Sequence, residues 1–111
     1  MTQPTQPNLF IPDLAALLPE TSDQTIVSKR VYQDDKVTTI LFSFAPGEEL
    51  SEHTSAFPAI LHFLSGSAEI TLGDDAHVVT AGAWSHMPPH LPHSIKAITP
   101  TTMLLLMLRG G

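Results

Sequence analysis

The sequence contains no cysteine, and this absence excludes two kinds of site. Without thiols the chain has neither a disulfide framework nor a thiolate ligand for a metal ion. Basic residues are also scarce, because 5 lysines and arginines stand against 11 aspartates and glutamates, giving a formal net charge of −6. A nucleic-acid partner requires a basic surface that meets the phosphate backbone, so we expect no such partner. The modest negative charge is that of a soluble protein.

Long hydrophobic runs are missing as well, since no apolar segment approaches the ~20 residues of a membrane-spanning helix. Residues 1–8 are rich in threonine, glutamine and proline, and they lack the basic and apolar regions of a secretory signal peptide. We therefore expect no membrane partner and a cytoplasmic location. The 111 residues and the 42% apolar content are those of one globular domain with a core.

Long helical patterns are also absent, and short alternating segments fill most of the chain. We predict that residues 1–24 form an N-terminal arm and a short helix, which begins near Pro12 or Asp13 and ends at Pro19. From residue 25 onward the pattern has a period of two, and turn residues recur every 8–12 positions or so. The sequence therefore predicts an all-β sandwich or barrel over residues 25–109, with about eight to ten strands.

The stretch 82–94 concentrates unusual residues, because it contains three of the six histidines, three of the ten prolines and the only tryptophan. Each proline fixes its φ angle near about −65°, so Pro88, Pro89 and Pro92 stiffen the turn. His93 follows this turn at the start of a predicted strand. A stiff turn of this kind is suited to aiming a side chain at a ligand.

Glycine and histidine also recur at a recognisable spacing. Gly47 is followed by His53 after five intervening residues, and Gly66 closes the segment. This spacing resembles the first motif of the cupin superfamily, in which a glycine precedes His-x-His, a glutamate and a second glycine. Ser55 stands at the second histidine position and Ala59 at the glutamate position.

The second cupin motif is a glycine, then Pro-x-Gly, then a histidine and an asparagine. Gly82, Pro88 and His93 match it, whereas His90 replaces the inner glycine and Ala97 the asparagine. The resemblance covers about residues 37–109. It implies a double-stranded β-helix, which is a small jelly-roll barrel.

Cupins typically hold a divalent metal with three histidines and one glutamate. The resemblance therefore implies that His53 and His93 are metal ligands, and that a third comes from His62, His86 or His90. Strand alternation places His62 on the face opposite to position 59, so it can join the ligand set only if a bulge after Pro58 reverses the parity. A set of neutral imidazoles favours Zn²⁺, Ni²⁺, Fe²⁺ or Cu²⁺ over Mg²⁺ or Ca²⁺.

The residues around these histidines predict a pocket for one small, partly apolar organic ligand. Ser55, Ala59, Phe44 and Trp84 are its expected walls. Glu52, beside His53, is a candidate to orient that ring. A hydrolase is disfavoured, because the chain has no glycine-flanked nucleophile turn.

Three interpretations of function stay open at this point. The first is a metal-dependent enzyme of the dioxygenase, isomerase or decarboxylase type. The second is a non-catalytic cupin that binds or senses a small molecule or a metal. The third is a structural dimer without a ligand. Residues 103–108 are apolar at every position, which is typical of a strand covered on both faces, so we expect a homodimer in each case.

Overall fold

A computed structural model describes residues 8–18 and 25–110. The predicted short helix is a single 3-10 turn, Leu14–Leu17, and its cap is Asp13, whose carboxylate accepts a hydrogen bond from the backbone N–H of Ala15 at 3.1 Å. Most of the predicted N-terminal arm, together with the end of the helical segment and the stretch before the first strand, falls in residues 1–7 and 19–24, which lie outside the described residues.

The described residues form nine strands, which confirms the predicted all-β class. They are β1 (Ile26–Gln33), β2 (Val37–Phe44), β3 (Glu49–His53), β4 (Ala59–Ser65), β5 (Ser67–Leu72), β6 (Asp75–Thr80), β7 (Trp84–Met87), β8 (His93–Ala97) and β9 (Thr101–Leu108). Among these, β3 was not predicted, because its sequence Glu-Leu-Ser-Glu-His has a single apolar residue and no alternation. No helix in the described residues is long and apolar enough to cross a membrane.

Two antiparallel sheets pack face to face. One has five strands in the order β1-β2-β9-β4-β7, and the other has four strands in the order β3-β8-β5-β6. Their inner faces meet in one hydrophobic core, as in other sandwiches of paired sheets. The largest buried side chains of that core are Phe44, Phe63, Leu61, Ile95 and Met103.

Strand pairing decides which side chains share a face, because directly opposed residues of antiparallel strands point to the same side. Met103 pairs with Phe42 and Phe63, and this row faces the core. One residue along, Leu104 pairs with Leu41 and His62, and that row faces away from the four-stranded sheet. We call the side of the five-stranded sheet that faces away from the core the outer face.

The N-terminal segment lies against part of the outer face. Ile11 and Leu14 line a surface cavity together with Leu64 and Thr102, and a second one together with Tyr32 and Thr39. The N-terminal segment therefore covers part of the outer face, next to β1 and β2 and also at the Leu64 and Thr102 end of β4 and β9, whereas Trp84 at the other edge is 61% exposed.

A glycine is required where β4 turns into β5. Gly66 has φ +85°, and a Cβ atom built there would lie 2.7 Å from the Cα of Thr101. Neither the dihedral angle nor the space is compatible with a side chain. Behind this turn, the buried hydroxyl of Thr101 donates to the carbonyl oxygens of Ser67 (2.9 Å) and Thr99 (2.8 Å).

Candidate functional site

A cavity of about 220 Å³ opens between the two sheets at one end of the barrel. Its lining combines two imidazoles, two hydroxyl groups, two thioethers and a small apolar remainder: His53, Thr54, Ser55, Ala59, Met87, His93, Leu105 and Met107. The two histidines come from β3 and β8 of the four-stranded sheet, and the thioethers come from β7 and β9 of the other sheet.

A β-bulge in β3 turns His53 toward the cavity. Leu50 pairs with Ile95 and His53 pairs with His93, so three steps along β3 match two steps along β8. The extra residue reverses the parity of the strand, and both Leu50 and His53 therefore point inward. Without the bulge, Glu52 would oppose His93 instead. Glu52 is exposed and does not line the cavity.

Each imidazole is fixed by a backbone carbonyl two residues earlier in the chain. Nδ1 of His53 donates to the carbonyl oxygen of Ser51 at 2.8 Å, and Nδ1 of His93 donates to that of Leu91 at 2.9 Å. The Ser51 carbonyl therefore orients the His53 ring, a role for which the sequence analysis named Glu52 as the candidate. His93 is 7% exposed, so its ring is also held by its surroundings.

These two hydrogen bonds determine what the pair can do chemically. A carbonyl oxygen only accepts, so Nδ1 carries the proton, and Nε2 of a neutral ring keeps a free lone pair. The ring centroids of His53 and His93 are 4.2 Å apart, with an interplanar angle of 57°. Two acceptor nitrogens on adjacent rings form a site for a hydrogen-bond donor or a metal ion.

The opposite wall is one cross-strand row of the five-stranded sheet. Ala59 pairs with Met87 on one side and with Met107 on the other, so the small residue is flanked by two thioethers. Ala59 and Met87 are each 3% exposed. The two methionines are 20 positions apart in the sequence, and strand pairing brings them together in this row.

A hydrogen bond joins two loops beside the cavity, whose lining residues His53 and Thr54 are exposed. The backbone N–H of His90 donates to the carbonyl oxygen of Ser55 at 2.7 Å, and the Ser55 hydroxyl accepts from the N–H of Phe57 at 3.2 Å. His90 has φ +67°, which is a left-handed conformation. It thus adopts the backbone that the motif's glycine would adopt, while its side chain is exposed and outside the cavity lining.

The other predicted site residues lie elsewhere. β4 pairs with β9 without interruption from Ala59 to Phe63, so no bulge reverses the parity there, and His62 is on the outer face. His86 pairs with Ile60 and shares that face, as does Trp84, which pairs with His62. Phe44 is 1% exposed in the core rather than at the cavity.

His53 and His93 are therefore the two predicted ligands that the fold brings together. Within residues 8–18 and 25–110, no group of three or more histidine, aspartate or glutamate side chains is arranged to hold a metal ion. The metal site stays a prediction, with two protein imidazoles as its described ligands.

A larger depression of about 560 Å³ lies beside residues 30–34, at the end of β1 and the start of the following turn, on the sheet edge remote from the histidine pair. Its notable group is Asp34, which accepts hydrogen bonds from the Tyr32 hydroxyl (2.8 Å) and from the N–H groups of Lys36 (2.8 Å) and Val37 (2.9 Å). The Tyr32 bond, followed by the two backbone bonds, lowers the pKa of Asp34, and the same bond raises the pKa of Tyr32. These contacts stabilise the β1–β2 turn, and we assign them no role at the cavity.

Known structures share this architecture. A cupin superfamily protein from Desulfitobacterium hafniense is 32% identical, with a TM-score of 0.79 over 86% of each chain. A conserved protein of unknown function from Streptococcus pyogenes is 29% identical, with a TM-score of 0.74 over 81% of this chain and 79% of that chain. KdgF from Halomonas is 18% identical with a TM-score of 0.75, covering 84% and 87% of the two chains, and shows the fold alone.

The comparison with curated proteins found no match. A sequence model of the cupin domain family matches residues 40–109, which is more than half of the chain. This match includes both cavity histidines and all of the strands from β3 to β9. The fold, the motif residues and the family model agree, and the chain belongs to the cupin family.

Proposed function

We propose that this protein is a binding cupin whose cavity takes one small, partly apolar organic molecule with a hydroxyl head group. The observation that carries the proposal is the fixed tautomer of the histidine pair. Both Nδ1 atoms are bonded to backbone carbonyls, so both Nε2 atoms are free to accept from a ligand. A ligand that donates a hydrogen bond satisfies an acceptor on one of two rings whose centroids are 4.2 Å apart.

The remaining wall supports an apolar body for this ligand. Met87, Leu105 and Met107 are opposite the imidazoles, and Ala59 leaves space between them. An engineered cavity of about 150 Å³ binds benzene, so about 220 Å³ accommodates one aromatic ring with a polar substituent. Thioethers and a leucine supply dispersion contacts to such a ring.

A resident divalent metal fits these residues poorly. Catalytic zinc centres have three protein ligands, whereas this cavity offers two imidazoles, and none of its lining side chains in the described part of the chain is a carboxylate. Ser55 and Ala59 stand at the positions where the family pattern has a histidine and a glutamate. We therefore derive no reaction step through a divalent metal.

The test uses phenol, benzyl alcohol and toluene as probes, because they share one ring and differ in whether they carry a hydroxyl donor. We expect phenol or benzyl alcohol to shift the ring resonances of His53 and His93 in NMR spectra, and to bind at least tenfold more tightly than toluene. Toluene donates to neither acceptor, and an unmet polar group is costly at His93, which is 7% exposed.

Two variants separate the head-group contact from the cavity. His93→Phe removes one acceptor, and Ala59→Leu fills the space between the methionines while leaving both imidazoles in place. Each should abolish probe binding, whereas His77→Gln, at an exposed position of β6, should not. Equal binding of all three probes, or binding that survives in Ala59→Leu, would refute the proposal.

Acid–base catalysis by the pair is the second candidate, and the short separation of the rings favours it. With centroids 4.2 Å apart, one Nε2 can take a proton from a bound molecule and return the same proton at a neighbouring atom, while the other Nε2 accepts a hydrogen bond from the substrate. An isomerase of this type would lose turnover in both His53→Gln and His93→Gln. A binding protein would show no turnover in any variant.

A further inference from the structure

We propose that Arg109 binds a carboxylate of the cavity's ligand, so that the ligand is a hydroxy acid with an apolar body between its two polar groups. The proposal rests on the proposed function, because the hydroxyl group at the histidine pair sets the orientation of the ligand. It adds a second recognition contact, and this contact makes Arg109 a specificity-determining residue.

Strand β9 brings Arg109 to the edge of the cavity. Met107 lines the cavity, and Arg109 follows it two positions later. The backbone N–H of Leu108 donates to the carbonyl oxygen of Pro58 at 2.9 Å, and the N–H of Arg109 donates to that of Lys36 at 2.7 Å. Two residues span about 7 Å at most, so the backbone of Arg109 is held close to one cavity wall.

The side chain of Arg109 lies over the aromatic ring of Phe57, with Cζ 5.5 Å from the ring centroid. Phe57 belongs to the loop between β3 and β4, and Ser55 of the same loop lines the cavity. The N–H of Phe57 donates to the Ser55 hydroxyl at 3.2 Å. Two segments that each contribute to the cavity wall therefore fix the guanidinium beside it.

The contact with the ring leaves the N–H groups of the guanidinium available to a ligand. A cation–π contact uses the charge of the group rather than its donors. The planar guanidinium has five N–H donors in a fork that matches the two oxygens of a carboxylate. Arg109 is exposed, so an anion can reach these donors from solvent.

Lys36 is the other cation at this end of the five-stranded sheet. Its Nζ is 3.5 Å from the position that a Cβ atom of Gly110 would occupy. Two aspartates precede it in the β1–β2 turn, so carboxylates of the same turn accompany its charge. The contact with Phe57 is made by Arg109, and it places that residue on the loop that forms the cavity wall. We therefore assign the carboxylate to Arg109.

The first experiment compares 4-hydroxyphenylacetate and 3-(4-hydroxyphenyl)propanoate with their amides, which have nearly the same shape and no charge. The two acids differ in the distance from the hydroxyl to the carboxylate. We expect at least one acid to bind about fivefold more tightly than its amide at low ionic strength, since an exposed ion pair with fork geometry has a modest effect. The ratio should fall toward one as sodium chloride is raised to about 1 M, because salt screens such a pair.

Four variants assign the effect to one residue. Arg109→Gln should reduce the ratio of acid to amide affinity to about one and leave phenol binding unchanged. Arg109→Lys keeps the charge without the fork and should restore part of the ratio. Arg30→Gln, which removes a positive charge from β1, is the matched control and should keep the full ratio. Lys36→Gln should keep it as well.

The outcomes separate this inference from the proposed function. Phenol that does not bind would refute the proposed function, and this inference with it. If phenol binds and both acids bind no better than their amides, only the role of Arg109 is overturned. A ratio that survives in Arg109→Gln, or one that is lost in Arg30→Gln or Lys36→Gln, would also overturn it.

Discussion

At the scale of single residues, the site depends on which nitrogen of each imidazole is engaged. The spacing to Gly47 and Pro88 was enough to single out His53 and His93. Their tautomer was not predictable, because it follows from carbonyl contacts to Ser51 and Leu91 that depend on local backbone conformation. A histidine without such an anchor would leave either nitrogen available.

His90 gives a prediction about backbone strain. Its φ of +67° is uncommon for a residue with a Cβ atom, and histidine tolerates it better than most residues. We expect His90→Gly to exceed His90→Ala in the free energy of unfolding by about 1 kcal/mol, because glycine alone is unstrained there. Urea denaturation of both variants gives this difference.

His86 provides the control for that comparison, since it is exposed in the middle of β7. Glycine weakens a strand relative to alanine. The order of stability should therefore reverse, with His86→Ala above His86→Gly. If His90→Ala is also more stable than His90→Gly, then His90 is not in the left-handed conformation.

At the scale of secondary-structure elements, one irregular strand creates the site. The bulge in β3 makes His53 rather than Glu52 the partner of His93. The sequence could not reveal it, because β3 has no apolar alternation from which a change of parity could be recognised. By contrast, the regular strands were predictable: Ala68, Ile70 and Leu72 alternate with polar residues, and the first two are buried in the core.

The β1–β2 turn carries a prediction about pH. Asp34 has a pKa below its ordinary value of 3.8, first because of the Tyr32 hydroxyl and then because of the N–H groups of Lys36 and Val37. The folded state thus prefers the carboxylate. Its contribution to stability is present above pH 3.8 and is lost as the pH falls through the lowered pKa.

Asp34→Asn should therefore be less stable than the natural protein at pH 7, and the gap should narrow as the pH falls from about 4 to about 2. Urea denaturation across this range measures the gap, and Asp35→Asn, at the exposed neighbour in the same turn, is the control. A gap that is constant with pH would mean that the Asp34 carboxylate does not stabilise the turn.

At the scale of the whole molecule, the two faces of the five-stranded sheet have different roles. The inner face builds the core and one wall of the cavity, and the outer face carries His62, His86 and Trp84. The sequence offered His62 and His86 as alternatives for a third ligand, but it could not decide which face of the sheet they occupy. That decision depends on the uninterrupted pairing of β4 with β9.

The outer face also supports the expected homodimer. Leu104 and Leu106 pair with His62 and Ile60, and Trp84 at the edge is 61% exposed. An apolar strip of this kind is typical of a surface that a second molecule covers. We predict a dimer of about 24 kDa by light scattering, from a chain of 12.0 kDa.

Trp84→Glu should convert this dimer to the monomer, because it introduces a charge into the strip. Val78→Glu is the matched control, since Val78 is 69% exposed on β6 of the other sheet and should leave the dimer intact. A monomeric natural protein at micromolar concentration, or a Trp84→Glu variant that remains dimeric, would exclude this interface.

The central claim is that His53 and His93 both present a bare Nε2 to one cavity. Long-range ¹H–¹⁵N correlation spectra at pH 8, where an ordinary histidine is neutral, test it directly. His53→Gln and His93→Gln assign the two signals. The account predicts that both rings are protonated at Nδ1, whereas protonation at Nε2 in either ring would contradict it.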